Sequence, residues 1–169
     1  MKKIGLFYSF NSTNTARIAE IIASHFSEEQ LDKINAELVT EKEFLAYDHY
    51  ILGVPTWFDG ELPTYWDEFG PAIERLNLHN KLFALFGLGD QKGYPENFVD
   101  ALGIMAKLLE SREGKLVGFT SAKGYNFEHS QAIRGSNFIG LAIDTKNQSA
   151  LIEKQIESWI QHIIKEFTK

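Results

Sequence analysis

The sequence predicts a three-layer α/β fold with a parallel sheet, on three observations. Short apolar runs alternate with longer amphipathic stretches along the whole chain. The runs are almost continuously apolar, as strands covered on both faces must be. At 169 residues and 44% hydrophobic content the chain fits one domain, residues 1–169, large enough to bury a proper core.

The elements follow in order. KIGLFY (3–8) is the first strand, and residues 14–26 form a helix with Ile18, Ala19, Ile21 and Ile22 on one side. AELVT (36–40) is a weak strand, HYILGV (49–54) a strong one and KLFALFGLG (81–89) another. Between the last two, Leu62, Tyr65, Trp66, Phe69, Ile73 and Leu76 recur at helical spacing, and Pro71 predicts a kink or two shorter helices. Residues 98–110 and 150–167 are helical, the latter with a stripe from Ile152 to Ile164 that includes Trp159. KLVGFTS (115–121) and NFIGLAI (137–143) are strand pieces separated by a polar, glycine-containing stretch. Trp66 and Trp159, within helical stripes, are expected in the core.

Composition removes several function classes. With no cysteine, disulfides, iron–sulfur clusters, thiolate zinc sites and cysteine nucleophiles are excluded, and a cytoplasmic location is the default expectation. No apolar run approaches the roughly 20 residues of a membrane span, and MKKIGLFYS reads as a strand rather than a signal peptide. A net charge of −6 without a basic patch argues against nucleic acid. The five histidines are scattered without metal-ligand spacing, and no G-x-S-x-G elbow is present. Acidic residues cluster in two segments: Asp59, Glu61, Asp67 and Glu68, then Asp90, Glu96 and Asp100 against Lys92 alone.

In open parallel sheets, ligands bind beyond the carboxyl ends of the strands, so three loops matter. The first runs Ser9-Phe10-Asn11-Ser12-Thr13-Asn14-Thr15 into a helix. Small hydroxyl and amide residues with the N–H groups of a helix start suit a phosphate, although Ser12 or Thr13 as a simple helix cap is an equal reading of this loop alone. No Lys or Arg lies between Lys3 and Arg17, so this is not a Walker loop. The second loop places Trp57 and Phe58 directly after a buried strand, inside a turn bracketed by Pro55 and Gly60. The third presents Tyr94 between Gly93 and Pro95. Two aromatic rings at one sheet edge suggest a flat ligand stacked between them, with mutual packing or an interface as the alternative.

The segments PTWFDGEL and GLGDQKGYPENFVDALG resemble the two isoalloxazine-binding loops of long-chain flavodoxins. The similarity extends over nearly the whole chain, through KGYNFEHSQAIRGSNFIGLAID and NQS before the Trp-containing terminal helix. It implies a doubly wound five-stranded sheet of order 2-1-3-4-5 whose last strand is interrupted by an insertion. It further implies an FMN-dependent, low-potential carrier of single electrons, not an enzyme, working as a monomer in brief complexes with basic-faced redox proteins. By the resemblance, Ser9 to Thr15 hold the phosphate, Trp57 and Tyr94 cover the two ring faces, and Asp90 with nearby backbone meets the pyrimidine edge. Pro55, Thr56, Phe58, Asp59, Gly60, Leu88, Gly89, Asn97 and Phe98 complete the implied site. The family loop has the form T/S-x-T-G-x-T; here Phe10 replaces its first hydroxyl and Thr13 its glycine, with Ser9 or Asn11 as replacement donor. FMN binding that is retained but weakened, or a loop of altered geometry, is therefore expected; Asp59 and Lys92 read as solvated surface residues, with a pair across the flavin edge, worth only about 0–1 kcal/mol, as the alternative. The alternatives are an FMN-dependent quinone reductase on the same fold and a flavin-free interaction module.

Overall fold

The structure is a computed structural model and describes residues 1–169. Its main sheet runs in the order β2 (Leu31–Asn35), β1 (Ile4–Tyr8), β3 (His49–Gly53), β4 (Leu82–Leu88), β5 (Lys115–Val117), all parallel. The position beyond β4 is filled in two pieces. β5 pairs with the first half of β4 (Leu82↔Lys115, Ala84↔Val117), and β9 (Leu141–Ile143) pairs with its second half (Phe86↔Leu141, Leu88↔Ile143). The interruption expected in the last strand is thus present. Between the two pieces the chain makes a small antiparallel sheet from β6 (Thr120–Ser121), β7 (Ile133–Arg134) and β8 (Asn137–Phe138).

Alternation along the central strands feeds two cores. From β4, Phe83 and Leu85 enter one core, while Ala84 and Phe86 enter the other. The first is closed by α3 (Thr64–Ile73) and α4 (Asp100–Glu110), through Trp66, Ile73, Leu102, Met105 and Leu109. The second is closed by α1 (Asn14–Ala23) and α5 (Ile152–Phe167), through Ile18, Ile22, Ile156, Trp159 and Ile163. Both predicted core tryptophans are buried and donate their indole N–H to backbone: Trp66 to Gly53 at 2.9 Å and Trp159 to Gly118 at 2.8 Å. The insertion joins the first core through Phe127 and Phe138, whose rings lie 5.4 and 5.8 Å from that of Phe98.

Three expectations change. The second strand is Leu31–Asn35, not 36–40. It is an edge strand, and the polar side chains of Asp32 and Lys33, which suit an edge, dilute its apolar pattern. Residues 36–40 instead lead into a missed helix, α2 (Glu41–Leu45), where Thr40 and Glu43 form a capping box. Residues 64–73 form one helix rather than two, because Pro71 falls in its last turn.

The Trp66 indole ties α3 to the final residue of β3, immediately before the Trp57 loop. Trp66→Phe should lower stability by about 2–3 kcal/mol, from the lost hydrogen bond and vacated volume, as read from the urea unfolding midpoint.

Candidate functional site

The three loops meet where expected, beyond the carboxyl ends of β1, β3 and β4. They enclose two adjoining hollows of about 370 and 260 Å³ that share Thr56, Trp57, Gly89, Asp90 and Tyr94. A larger hollow of about 540 Å³ lies between the insertion and α5, away from these strand ends and from both exposed rings. Position beyond the strand ends and convergent chemistry favour the smaller pair as the site.

The Trp57 loop is closed on itself, since Trp57 and Glu61 exchange backbone hydrogen bonds of 2.9 and 2.8 Å. Gly60 sits at φ +101°, and a Cβ there would come within 2.7 Å of Asp100 Oδ2, so only glycine fits. Phe58 also has a positive φ, 49°, an uncommon conformation for a bulky residue. The loop is anchored below by Thr56, whose hydroxyl accepts from the Ala101 N–H at 3.1 Å. As expected, Trp57 stays 37% exposed and Tyr94 51%.

The third loop is held by carboxylates. Asp90 Oδ1 accepts from the N–H groups of Gly93 (2.8 Å) and Lys92 (3.2 Å) and from Asn147 Nδ2 (2.8 Å), which hold its carboxyl below the usual range. Asp144, fully buried at the end of β9, accepts from Gln91 N and Nε2, Lys146 N, and Asn147 N and Nδ2, all within 3.1 Å. Burial alone would raise the Asp144 pKa. These donors outweigh it, and the net direction is down. The Asn147 amide bridges the two carboxylates, while Gln91 Oε1 accepts from Asn126 N at 2.6 Å, linking the insertion to the same knot. Sequence reading missed Asp144 and Asn147; the signal was an Asp closing an apolar strand with Asn three residues on.

In the first loop, Ser12 Oγ accepts from Ala16 N at 3.1 Å and donates to Ser9 O at 2.7 Å, so it does cap α1, whereas Thr13 makes no side-chain cap. The N–H groups of Thr13, Asn14 and Thr15 have no partner in the chain, as expected at a helix start. Ser9 Oγ and Asn11 Nδ2 both donate to Glu37, at 2.6 and 2.7 Å, and hold its carboxyl below the usual range. Ser9 has no donor left to replace the hydroxyl missing at position 10, while the Asn11 amide keeps one of its two N–H donors. Phe10 is exposed and packs on Tyr8, with ring centroids 4.9 Å apart.

Of the residues named from sequence, Ser12, Asn14, Thr15, Pro55, Thr56, Trp57, Phe58, Leu88, Gly89, Asp90, Tyr94, Asn97 and Phe98 line the two hollows. Phe98 does so from the floor, with its ring in the core. Ser9, Phe10, Asn11, Thr13, Asp59 and Gly60 do not line them. Tyr65, Val99, Thr145 and Lys146 line them and were not foreseen. Asp59 and Lys92 form no ion pair, in line with the reading of both as solvated residues; instead Lys146 Nζ lies 3.6 Å from Asp90 Oδ2. Asp100 is no rim residue either, because its buried carboxylate accepts from Gln131 N at 2.7 Å and so holds the insertion.

An open doubly wound sheet, with an aromatic-walled cleft and free helix-start N–H groups beyond its strand ends, defines the class. Known proteins give the family. Residues 6–159 match the family model described as flavodoxin, and the chain belongs to that family. It is 39% identical over 166 residues to a flavodoxin of Nostoc sp. (strain PCC 7120), covering 98% of both chains. With flavodoxin 1 of Escherichia coli (strain K12) it shares 37% identity over 163 residues, 96% of this chain and 93% of that one. The crystal structure of Fusobacterium nucleatum flavodoxin bound to flavin mononucleotide superposes with a TM-score of 0.93 at 33% identity, covering 98% of this chain and 99% of that one.

Because the folded pKa of Asp144 lies below that of an unfolded aspartate, about 4, its stabilising effect is complete above that pH and fades as pH falls through the folded value. Asp144→Asn should lose about 1.5–3 kcal/mol at neutral pH. Urea midpoints followed from pH 7 to pH 3 should fall less steeply for this variant than for the unaltered protein.

Proposed function

We propose that this flavodoxin carries single electrons on FMN seated in the cleft between the Trp57 and Tyr94 loops, with the phosphate at the start of α1. The observation that carries this reading is the convergence of two exposed aromatic rings and a set of free backbone N–H groups on one continuous cleft.

The donor set fits the group. Trp57 and Tyr94 offer flat apolar faces to an isoalloxazine. Asp90 and the backbone of Gly89 face its polar edge. The unpaired N–H groups of Thr13, Asn14 and Thr15, at the positive end of α1, suit a phosphate without any lysine or arginine. Bound FMN supplies the redox chemistry, accepting and releasing electrons singly.

The chain then sets the electrostatics. Asp59, Glu61, Asp67, Glu68 and Glu96 are exposed around the cleft loops and disfavour added negative charge, which lowers the potential of the second electron. Lys146 offsets Asp90, so that carboxylate contributes less than its position suggests. The closed Trp57–Glu61 turn holds the peptide groups near Phe58 in place.

Flavodoxins act as electron carriers to redox enzymes. For this chain we propose partners with basic faces, drawn to the acidic rim into short-lived complexes with a monomeric carrier. No helix is long and apolar enough to cross a membrane.

Titration of the apoprotein with FMN, followed by flavin fluorescence quenching, tests the cleft. Trp57→Ala and Tyr94→Ala should each weaken binding by about 1–2 kcal/mol, roughly 5- to 30-fold; unchanged affinity in both would refute the stacking. Electron exchange with a basic reductase should slow as ionic strength rises from about 0.01 to 0.5 M, because salt screens the steering field; stopped-flow rates indifferent to salt would contradict the acidic docking face.

A further inference from the structure

We propose that the hollow between the insertion and α5 binds a compact organic anion with an aromatic body, an arylcarboxylate or arylsulfonate. The site lies away from the cleft and does not rest on the FMN reading. It is the larger space, about 540 Å³ against 370 and 260 Å³, and falls in the size range of hollows that take small molecules.

Its charge runs against that of the molecule. The chain has 23 acidic and 17 basic residues, yet Lys123, Lys154 and His162 line this hollow and no aspartate or glutamate does. Lys123 belongs to the insertion and Lys154 to the first turn of α5, so each wall supplies one cation. Neither lysine makes an ion pair within the chain. Lys154 also stands at the positive end of the α5 dipole, where an anion is favoured and a cation is not. Glu153 and Glu157 flank it along α5 without lining the hollow, and Glu166, 3.3 Å from His162, accepts from the Gly118 N–H at 2.6 Å. The two lysines are 31 positions apart, so only the fold brings them to one space.

The remaining lining suits a ring that carries such a charge. Phe119 and Tyr125 are half-buried and Leu151 is 48% exposed, which offers apolar surface from both walls. Ser121 Oγ accepts from Lys123 N at 3.1 Å and keeps its own proton to donate, and Ser158 adds a hydroxyl from α5. The frame is preformed, because its polar side chains are tied to backbone. Tyr125 donates to Ala142 O at 2.7 Å, Trp159 to Gly118 O at 2.8 Å and Thr120 to Gly140 O at 2.6 Å.

The test follows amide proton–nitrogen correlation spectra of the protein, with FMN at saturation to fill the cleft, during titration with naphthoate and with its neutral counterpart naphthamide. Naphthoate should shift the amides of Ser121, Lys123, Lys154 and Ser158 and the Trp159 indole N–H saturably, with a Kd below about 1 mM. Naphthamide, lacking the charge, should bind roughly 3- to 30-fold more weakly. The double variant Lys123→Gln, Lys154→Gln alters two exposed side chains and should weaken naphthoate by roughly the same 3- to 30-fold while leaving naphthamide unchanged. Shifts that do not saturate, or that are confined to the Trp57 and Tyr94 loops, overturn the site. Equal affinity for acid and amide, or undiminished naphthoate binding by the double variant, overturns the anion as its ligand. Each of these results leaves FMN in the cleft untouched, and failure to bind FMN leaves the shifts around the hollow equally readable.

Discussion

The site depends on one buried carboxylate. Asp144 closes β9, the second piece of the interrupted strand, and gathers backbone and amide N–H groups from two loops. A charge so placed is tolerated only where donors replace the water it has lost. Those donors come from Gln91 on one side and Lys146 and Asn147 on the other, so satisfying Asp144 fixes where the Tyr94 loop stands relative to the end of the sheet. The bridging Asn147 amide passes the constraint to Asp90, whose own carboxylate shapes the turn that carries Tyr94. Preorganisation of this kind reduces the ordering that a flat ligand would otherwise impose on binding.

The opposite wall is fixed by different means. Trp57 sits on a turn closed by its own backbone bonds, with Gly60 pressed against Asp100 and Thr56 bonded to the start of α4. Asp100 also holds the insertion through Gln131, so one carboxylate bears on both the Trp57 turn and the added segment. The insertion is therefore part of the site's support, reaching the cleft loops through Asp100, Gln91 and the Phe98 cluster. The loop from Ser9 to Thr15 stands apart: Ser9 and Asn11 turn to Glu37, Ser12 caps α1, and the backbone N–H groups of Thr13 to Thr15 are left without a partner in the chain.

Much of this was legible in the sequence. The buried strands read clearly because both faces are covered, and Trp57 stood out because a large ring followed a strand instead of lying within an apolar period. Edge strand β2 was lost because Asp32 and Lys33 dilute its pattern, while α2 was announced by Thr40 and Glu43 and went unread beside it. The Asp144 network was hidden for a plainer reason: Gln91 and Asp144 are 53 positions apart, and nothing local marks their pairing. Tyr65 read as one member of a helical apolar stripe, which it is by spacing; only the fold shows that it also lines the cleft. Asp100 misled in the opposite sense, since a charge in an acidic run suggests solvent, whereas packing buries it.

All of these features serve the claim that two rings on neighbouring strand ends clamp a flavin whose phosphate meets the start of α1. A crystal structure of the protein grown with FMN tests this most directly. The account predicts density for the isoalloxazine between Trp57 and Tyr94 and for the phosphate against the N–H groups of Thr13 to Thr15. Flavin density in the hollow between the insertion and α5, or none in the cleft at saturating FMN, would contradict it.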